Sequence, residues 1–143
     1  SNYYKGGLVC YADEVKENLL NVDAQVIEEQ TPVCEEVVRQ MVIGANKLFN
    51  TDYAVAISGY AGPGGPDGGK AGVIVGTIWI AVGNADNIVT RMIEEDNGRD
   101  KNLASLLLAP PCTCCLTTLK ATKATQKKLL KKQHNKTRIY YPL

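Results

Sequence analysis

Histidine is nearly absent. His134 is the single imidazole in 143 residues, so a histidine base or a histidine-rich metal cluster has almost nothing to work with. Cysteine chemistry is poorly served too. The five cysteines, Cys10, Cys34, Cys112, Cys114 and Cys115, are odd in number, and three crowd into C-x-C-C. That is neither a disulfide framework nor the paired C-x-x-C spacing of a zinc site, so no metal is expected. Aromatic residues make up 6%, which leaves Val, Ile, Leu and Ala to fill a core. No apolar run approaches ~18 residues, so no membrane span is expected. Residues 1–7 lack a basic stretch followed by an apolar one, so no secretory signal is read and a cytoplasmic location is expected.

Acid is missing from one end only. Residues 1–100 hold 15 Asp/Glu against seven Lys/Arg, a net charge of −8, and residues 101–143 hold nine Lys/Arg and no acid, a net charge of +9. The division predicts an acidic domain followed by a basic tail. The acid-free, Lys/Thr-rich stretch 120–136 is expected to be disordered.

Within the first part, strands and helices alternate. Residues 8–11 read as a strand, and Asp13 as the N-cap of a helix over 14–20. Asp23 caps a second short helix ending near Glu29. Residues 35–49 form the clearest helix, with Val38, Met41, Val42, Ala45, Leu48 and Phe49 on one apolar face. Residues 53–58 and 73–82 read as buried strands, and 88–93 as a strand paired with the latter across the Asn84–Asn87 turn. Leu106 starts what could be a helix, ended by Pro110-Pro111. The fold class expected is α/β, a three-layer α/β/α arrangement with a mixed sheet, truncated.

Three places could carry chemistry. Lys16 falls in the first turn of the helix that follows Tyr11. A cation is misplaced there by ~0.3–1 kcal/mol, because the helix N-terminus is positive. The same field, and burial, favour the neutral amine, which can serve as a base toward a hydroxyl. The plainer reading is a solvated lysine beside Asp13, Glu14 and Glu17. Second, Ser58, Gly59, Tyr60, Ala61, Gly62, Pro63, Gly64 and Gly65 leave the end of a buried strand, where ligands bind in α/β sheets and glycines let backbone N–H groups approach an anion. The plainer reading is a flexible strand connection, and the loop matches neither the Walker nor the dinucleotide fingerprint. Third, Arg99 could grip a phosphate or carboxylate, or simply sit in a surface turn. The basic tail could contact nucleic acid by charge. Only Tyr140 and Tyr141 interleave with it, so a nucleic-acid partner ranks last.

Taken together the segments resemble the C-terminal domain of the CinA family, the nicotinamide-nucleotide amidases. S-N-Y-Y-K-G-G-L-V-C-Y-A-D-E-V-K resembles the family's stretch ending in Y-S-N-E-x-K. T-P-V-C-E-E-V-V-R-Q-M resembles G-A-V-S-E-E-V-V-x-x-M. A-I-S-G-Y-A-G-P-G-G, followed by V-G-T-I-W-I-A, resembles S-G-I-A-G-P-G-G and V-G-T-V-W-I-A. The resemblance runs to about Asn102, which implies a partial domain over residues 1–102 and a divergent basic tail over 103–143. It implies hydrolysis of nicotinamide mononucleotide to nicotinate mononucleotide and ammonia by a Ser/Lys mechanism without metal or cofactor. It also implies Lys16 as the base and Tyr11 as its assistant. Ser58, Gly59, Ala61, Gly62, Pro63 and Gly64 would line the substrate pocket, with Arg99 on the phosphate. The partner implied is the nucleotide; a second copy of the chain is also admissible, and a membrane is not.

This sequence departs from the pattern. The family's serine lies in an E-S-C-T-G-G segment, which does not occur in these residues, so activity is expected to be impaired and no residue is assigned as nucleophile. A non-catalytic nucleotide- or partner-binding role is the alternative. Tyr60 stands where isoleucine is usual, Cys34 where a serine caps the long helix, and residues 66–73 lack the T-P-E-K-P pattern. The family ends in an apolar helix, replaced here by A-P-P-C-T-C-C-L. A sheet face and edge left bare would make the chain poorly soluble. Codons for Pro-Cys-Thr-Cys-Cys, read from each third base, specify Leu/Met/Val, His/Tyr, Leu/Met/Val and Leu. We therefore expect a reading-frame change near residues 105–109. Sequencing the DNA checks this: a shifted frame encoding a Leu-rich helix is the expected result, and its absence ends the idea.

Overall fold

The computed structural model describes residues 4–63 and 73–108, and of residues 105–108 the backbone alone. The expected basic tail, Cys112, Cys114, Cys115, His134 and the frame-change segment past residue 108 lie outside the described residues, as does Gly64. The elements in chain order are α1 (Asp13–Leu20), α2 (Ala24–Gln30), α3 (Glu35–Phe49), β1 (Ala54–Gly59), β2 (Thr77–Gly83), β3 (Ile88–Glu94) and α4 (Arg99–Leu108).

Each helix has a local cause. Asp23 caps α2 as expected, its side chain accepting from the Gln25 N–H at 2.9 Å. Cys34 occupies the N-cap of α3 and makes no side-chain cap bond. Glu35 and Glu36 fill the first turn of α3 and Lys47 the last, both with the helix dipole. Asn21 and Asn50 end α1 and α3 in the left-handed region, at φ 53° and 49°, a conformation asparagine tolerates better than most residues.

The sheet is antiparallel, in the order β1-β2-β3. Its register sets Ala56 opposite Ala81 and Ser58 opposite Trp79, then Ile80 opposite Arg91. Side chains alternate across a strand, so Ala54, Ala56 and Ala81 turn toward α3 and join Val37, Val38, Met41 and Val42 in the main core. α1 and α2 add Leu20 and Ile27 to the same cluster. On the opposite face Ile78, Ile80 and Val82 form a second cluster with Val55, Ile57 and Ile93. That face is not bare as expected: Ile78 and Ile80 are each 1% exposed.

Several expectations need correction. The mixed sheet does not form among the described residues, because residues 8–11 are extended but pair with no strand. A cavity of about 100 Å³, lined by Gly6, Gly7, Leu8 and Cys10 on one side and by residues 54–57 on the other, separates the segment from the outer edge of β1. The three-layer arrangement reduces, within the described residues, to helices α1–α3 beside one sheet. β2 starts at Thr77 rather than residue 73, since Gly76 takes φ 91° in the turn before it. The last helix begins at Arg99, not Leu106, and so runs through the expected boundary at 102/103. On α3 the buried set is Val37, Val38, Met41, Val42 and Gly44, while Leu48 is 49% exposed. α3 is gripped from two sides, which rotates its buried arc toward α1.

Gly44 makes that second grip possible. A Cβ there would meet the Leu20 carbonyl oxygen at 2.0 Å and its carbon at 2.7 Å, so the last turn of α1 lies directly on α3. Polar bonds fix the other side of α3. Glu35 Oε1 accepts from Arg39 Nη2 at 2.8 Å and from the Thr90 hydroxyl of β3 at 2.7 Å. Asn46 Nδ2 donates to the Gly83 carbonyl at 3.1 Å.

Gly44→Ala is expected to lower the unfolding free energy by about 1–3 kcal/mol through overpacking, outweighing the ~1 kcal/mol that alanine gains in helix propensity; urea denaturation measures it. The Thr90 hydroxyl and the Arg39 guanidinium hold the Glu35 carboxyl below its usual range. Its folded pKa is therefore the lower one, so its stabilisation is present above the unfolded value and lost as pH falls through the folded value. In a thermal series the melting temperature of Glu35→Gln should fall less than that of the parent between about pH 5 and pH 3. The Glu35 side chain is 45% exposed, so screening keeps the difference small.

Candidate functional site

The first turn of α1 places the lysine. Asp13 does not cap the helix as expected. The N-cap is Ala12, which has no side-chain acceptor to offer. Asp13 instead reaches one turn along, and its Oδ1 accepts from Lys16 Nζ at 2.7 Å. A second bond runs from Nζ to the Tyr11 carbonyl at 3.3 Å. Lys16 is 5% exposed, so it is neither a solvated lysine nor a lone amine, but a buried member of an ion pair whose partner is partly open to water. Tyr11 joins the site through its carbonyl alone; the residue is 95% exposed. Cys10 lies close enough to feel the lysine. Burial pushes its thiol pKa up, and the Lys16 charge opposes that rise.

The loop after β1 comes to the same end of the fold. Ser58, the last buried residue of β1, donates its hydroxyl to the Pro32 carbonyl at 2.6 Å. The bond ties β1 to the turn before α3 and occupies the hydroxyl. Preceding Pro32, Thr31 is buried with φ 96°, an unfavourable conformation for a β-branched residue. Its own hydroxyl accepts from the Val33 N–H at 3.2 Å. Tyr60 is clamped through its backbone: its N–H donates to the Thr77 carbonyl at 3.0 Å, and its carbonyl accepts from the Gly76 N–H at 2.7 Å. Burial, then the negative charge of Asp13, push its phenol pKa up. The second cause brings the loop and the start of α1 into one electrostatic neighbourhood. Before Tyr60, Gly59 is exposed, and after it Gly62 is buried with φ 89°. The Gly62–Pro63 peptide is cis.

Arg99 meets the loop from α4, its Nη1 donating to the Gly62 carbonyl at 2.5 Å. Asn102 is a residue the sequence reading passed over. It is 2% exposed and donates to the Ala61 carbonyl at 3.1 Å. The available signal was its spacing: three residues after Arg99 it falls on the same helix face. Thr77, whose carbonyl holds Tyr60, is the other omission. Among the described residues its hydroxyl is the buried side-chain oxygen without a hydrogen-bond partner. The structure thus groups Lys16, Tyr11 and Asp13, leaves Tyr60 within reach of the Asp13 charge, and fastens Ala61 to Asn102 and Gly62 to Arg99. The cavity beside β1 includes none of these residues; its lining is largely apolar. Among the described residues, no group of three or more His, Cys, Asp or Glu side chains could hold a metal, and no helix is long and apolar enough to cross a membrane.

The family model described as the CinA C-terminal domain matches residues 1–109. A CinA-like protein of Cytophaga hutchinsonii is 38% identical over 109 residues, covering 76% of this chain and 25% of its own length. A CinA-like protein of Fervidobacterium nodosum is 42% identical over 88 residues, covering 62% of this chain and 21% of its own length. The chain therefore spans a quarter or less of these curated relatives. Among solved structures, the competence damage-inducible protein A of Klebsiella pneumoniae superposes with a TM-score of 0.64 at 33% identity, covering 72% of this chain and 62% of that one. A competence-damaged protein (CinA) superfamily member from Escherichia coli gives 0.60 at 32% identity, covering 67% and 54%.

Proposed function

Because the chain belongs to the CinA C-terminal domain family, we propose that its site is the base and binding half of a nicotinamide-nucleotide amidohydrolase. The observation that carries the reading is the buried Lys16 paired with Asp13, whose charge reaches Tyr60 of the loop after β1. Lysine is rarely fully buried except as one member of a pair, as Lys16 is with Asp13, and an amine at this place is what a Ser/Lys hydrolase requires.

In this reading the ion-paired Lys16 first gives up a proton to solvent and then, as the neutral amine, takes the proton of an attacking hydroxyl. The oxygen adds to the carboxamide carbon of nicotinamide mononucleotide, ammonia leaves with a proton, and water releases nicotinate mononucleotide from the resulting ester. Asp13, 2.7 Å from Nζ, holds the amine in place and stabilises the ammonium that each transfer creates. The Tyr11 carbonyl fixes the direction of the side chain. Gly59, Ala61, Gly62 and Pro63 form the pocket wall. Arg99 has further N–H donors besides the one on Gly62, and a guanidinium suits the 5′-phosphate of the nucleotide. Ser58 supports the wall rather than touching substrate, since its hydroxyl serves Pro32.

One observation favours the second reading, a domain that binds without turnover. Among the described residues Lys16 donates to a carboxylate and a carbonyl, and to no hydroxyl. We therefore expect the 143-residue chain by itself to bind nicotinamide mononucleotide saturably and to release ammonia no faster than buffer does. Calorimetry and an ammonia-release assay test both halves. Absence of binding refutes the nucleotide reading. Robust turnover would place the nucleophile within this chain, and Lys16→Met should then cost at least about 100-fold. Arg99→Ala should weaken the mononucleotide about 10–100-fold more than the phosphate-free riboside; an unchanged ratio removes Arg99 from the phosphate.

A further inference from the structure

Asn102 is the one buried residue between positions 99 and 104, so at the start of α4 it is the one side chain enclosed against the body of the domain. Both polar atoms of that side chain are occupied. Nδ2 donates to the Ala61 carbonyl at 3.1 Å and to Asp96 Oδ1 at 3.2 Å, while Oδ1 accepts from the Asn97 N–H at 3.0 Å. Asp96 Oδ1 also accepts from the Gly98 N–H at 3.1 Å, which closes the turn leading into α4. One helical step away on the same face, Arg99 takes the next carbonyl of the loop, that of Gly62. Two consecutive loop carbonyls are thus drawn onto one helix.

The peptide geometry carries a consequence. In a trans peptide the C=O and N–H point in opposite directions. Holding the Ala61 carbonyl against α4 turns the Gly62 N–H away from α4. Pro63 follows and has no N–H of its own, so Gly62 supplies the donor at this point of the loop. Its φ of 89° is open to glycine and strained for other residues.

We propose that Asn102 is a positioning residue of the nucleotide loop: it fixes the Ala61–Gly62 peptide so that the Gly62 N–H is presented to an oxygen of the bound ligand. The proposal rests on the nucleotide reading for the identity of that ligand, and on the geometry alone for the anchoring. Removing the side chain frees the Ala61 carbonyl and leaves Asp96 and the Asn97 N–H without their shared partner. The loop loses its set, while the core around α3 is untouched.

The test compares the whole chain with Asn102→Ala and Asn102→Asp, using exposed Lys101→Ala as the control. Amide exchange is followed at residues 60–62 and in α3 and β2, and calorimetry gives the affinity for nicotinamide mononucleotide. In Asn102→Ala we expect exchange at Ala61 and Gly62 to rise, and nucleotide affinity to fall, by at least about tenfold each, with protection in α3 and β2 and both readings of Lys101→Ala unchanged. Should Asn102→Ala not fold, Asn102→Asp, which keeps the size and loses the two donors, is judged by the same readings. Unchanged loop exchange overturns the proposal, and so does a loosened loop with unchanged affinity. If the parent chain does not bind the mononucleotide, the nucleotide reading falls, and the exchange at Ala61 and Gly62 alone upholds or overturns the anchoring.

Discussion

Close approach at α3 is the constraint on which the rest of this structure depends. On one side α3 lies over Ala54, Ala56 and Ala81, short side chains that let the helix settle near the sheet. On its other side, Gly44 admits the backbone of Leu20. α3 is therefore clasped between a sheet and the end of α1 with almost no spacer. Interiors at this density transmit displacement rather than absorb it, so the position of α1 relative to β1 follows from a few small residues. Lys16 is carried by α1 and the glycine loop by β1. Their meeting depends on how closely α3 holds both.

The site itself is joined mostly through main-chain acceptors. Lys16 bonds to the Tyr11 carbonyl, Ser58 to that of Pro32, Asn102 to that of Ala61 and Arg99 to that of Gly62. Leaving a buried donor or acceptor without a partner costs about 1–3 kcal/mol, so each contact resists displacement more strongly than its modest net stabilisation suggests. The Asp13–Lys16 pair differs in kind. Its carboxylate is partly open to water and its amine is buried. That asymmetry lets the amine stay enclosed while its counter-ion remains solvated. Under the proposed reading a loop so fastened would meet its ligand already ordered, where a free glycine-rich connection would have to be ordered at each binding event.

Much of the fold was legible because the signals were local. The 3.6-residue period of α3, the Asp23 cap, the missing cap at Cys34 and the β2–β3 hairpin each depend on a few neighbouring residues. The failures share another cause. Residues 8–11 form a short apolar run that reads as a strand, but a strand needs an edge to pair with, and a cavity lies between them and β1. Leu48 fits the apolar stripe of α3, yet the stripe is decided by what packs against it. Arg99 looked like a turn residue because the helix starting there has one buried residue in its first six, too little for a periodic signal.

From sequence alone came the family resemblance, the α/β class and the choice of Lys16, the glycine loop and Arg99 as the residues to watch, since residue type and spacing along the chain carry that information. Tertiary structure decided what those residues touch. The ion pair with Asp13, the outward turn of Tyr11, the occupied hydroxyl of Ser58 and the bond from Asn102 to Ala61 all follow from how helices and strands distant in sequence are packed. Most of these contacts end on backbone carbonyls, which every residue possesses, so no side-chain pattern can announce them.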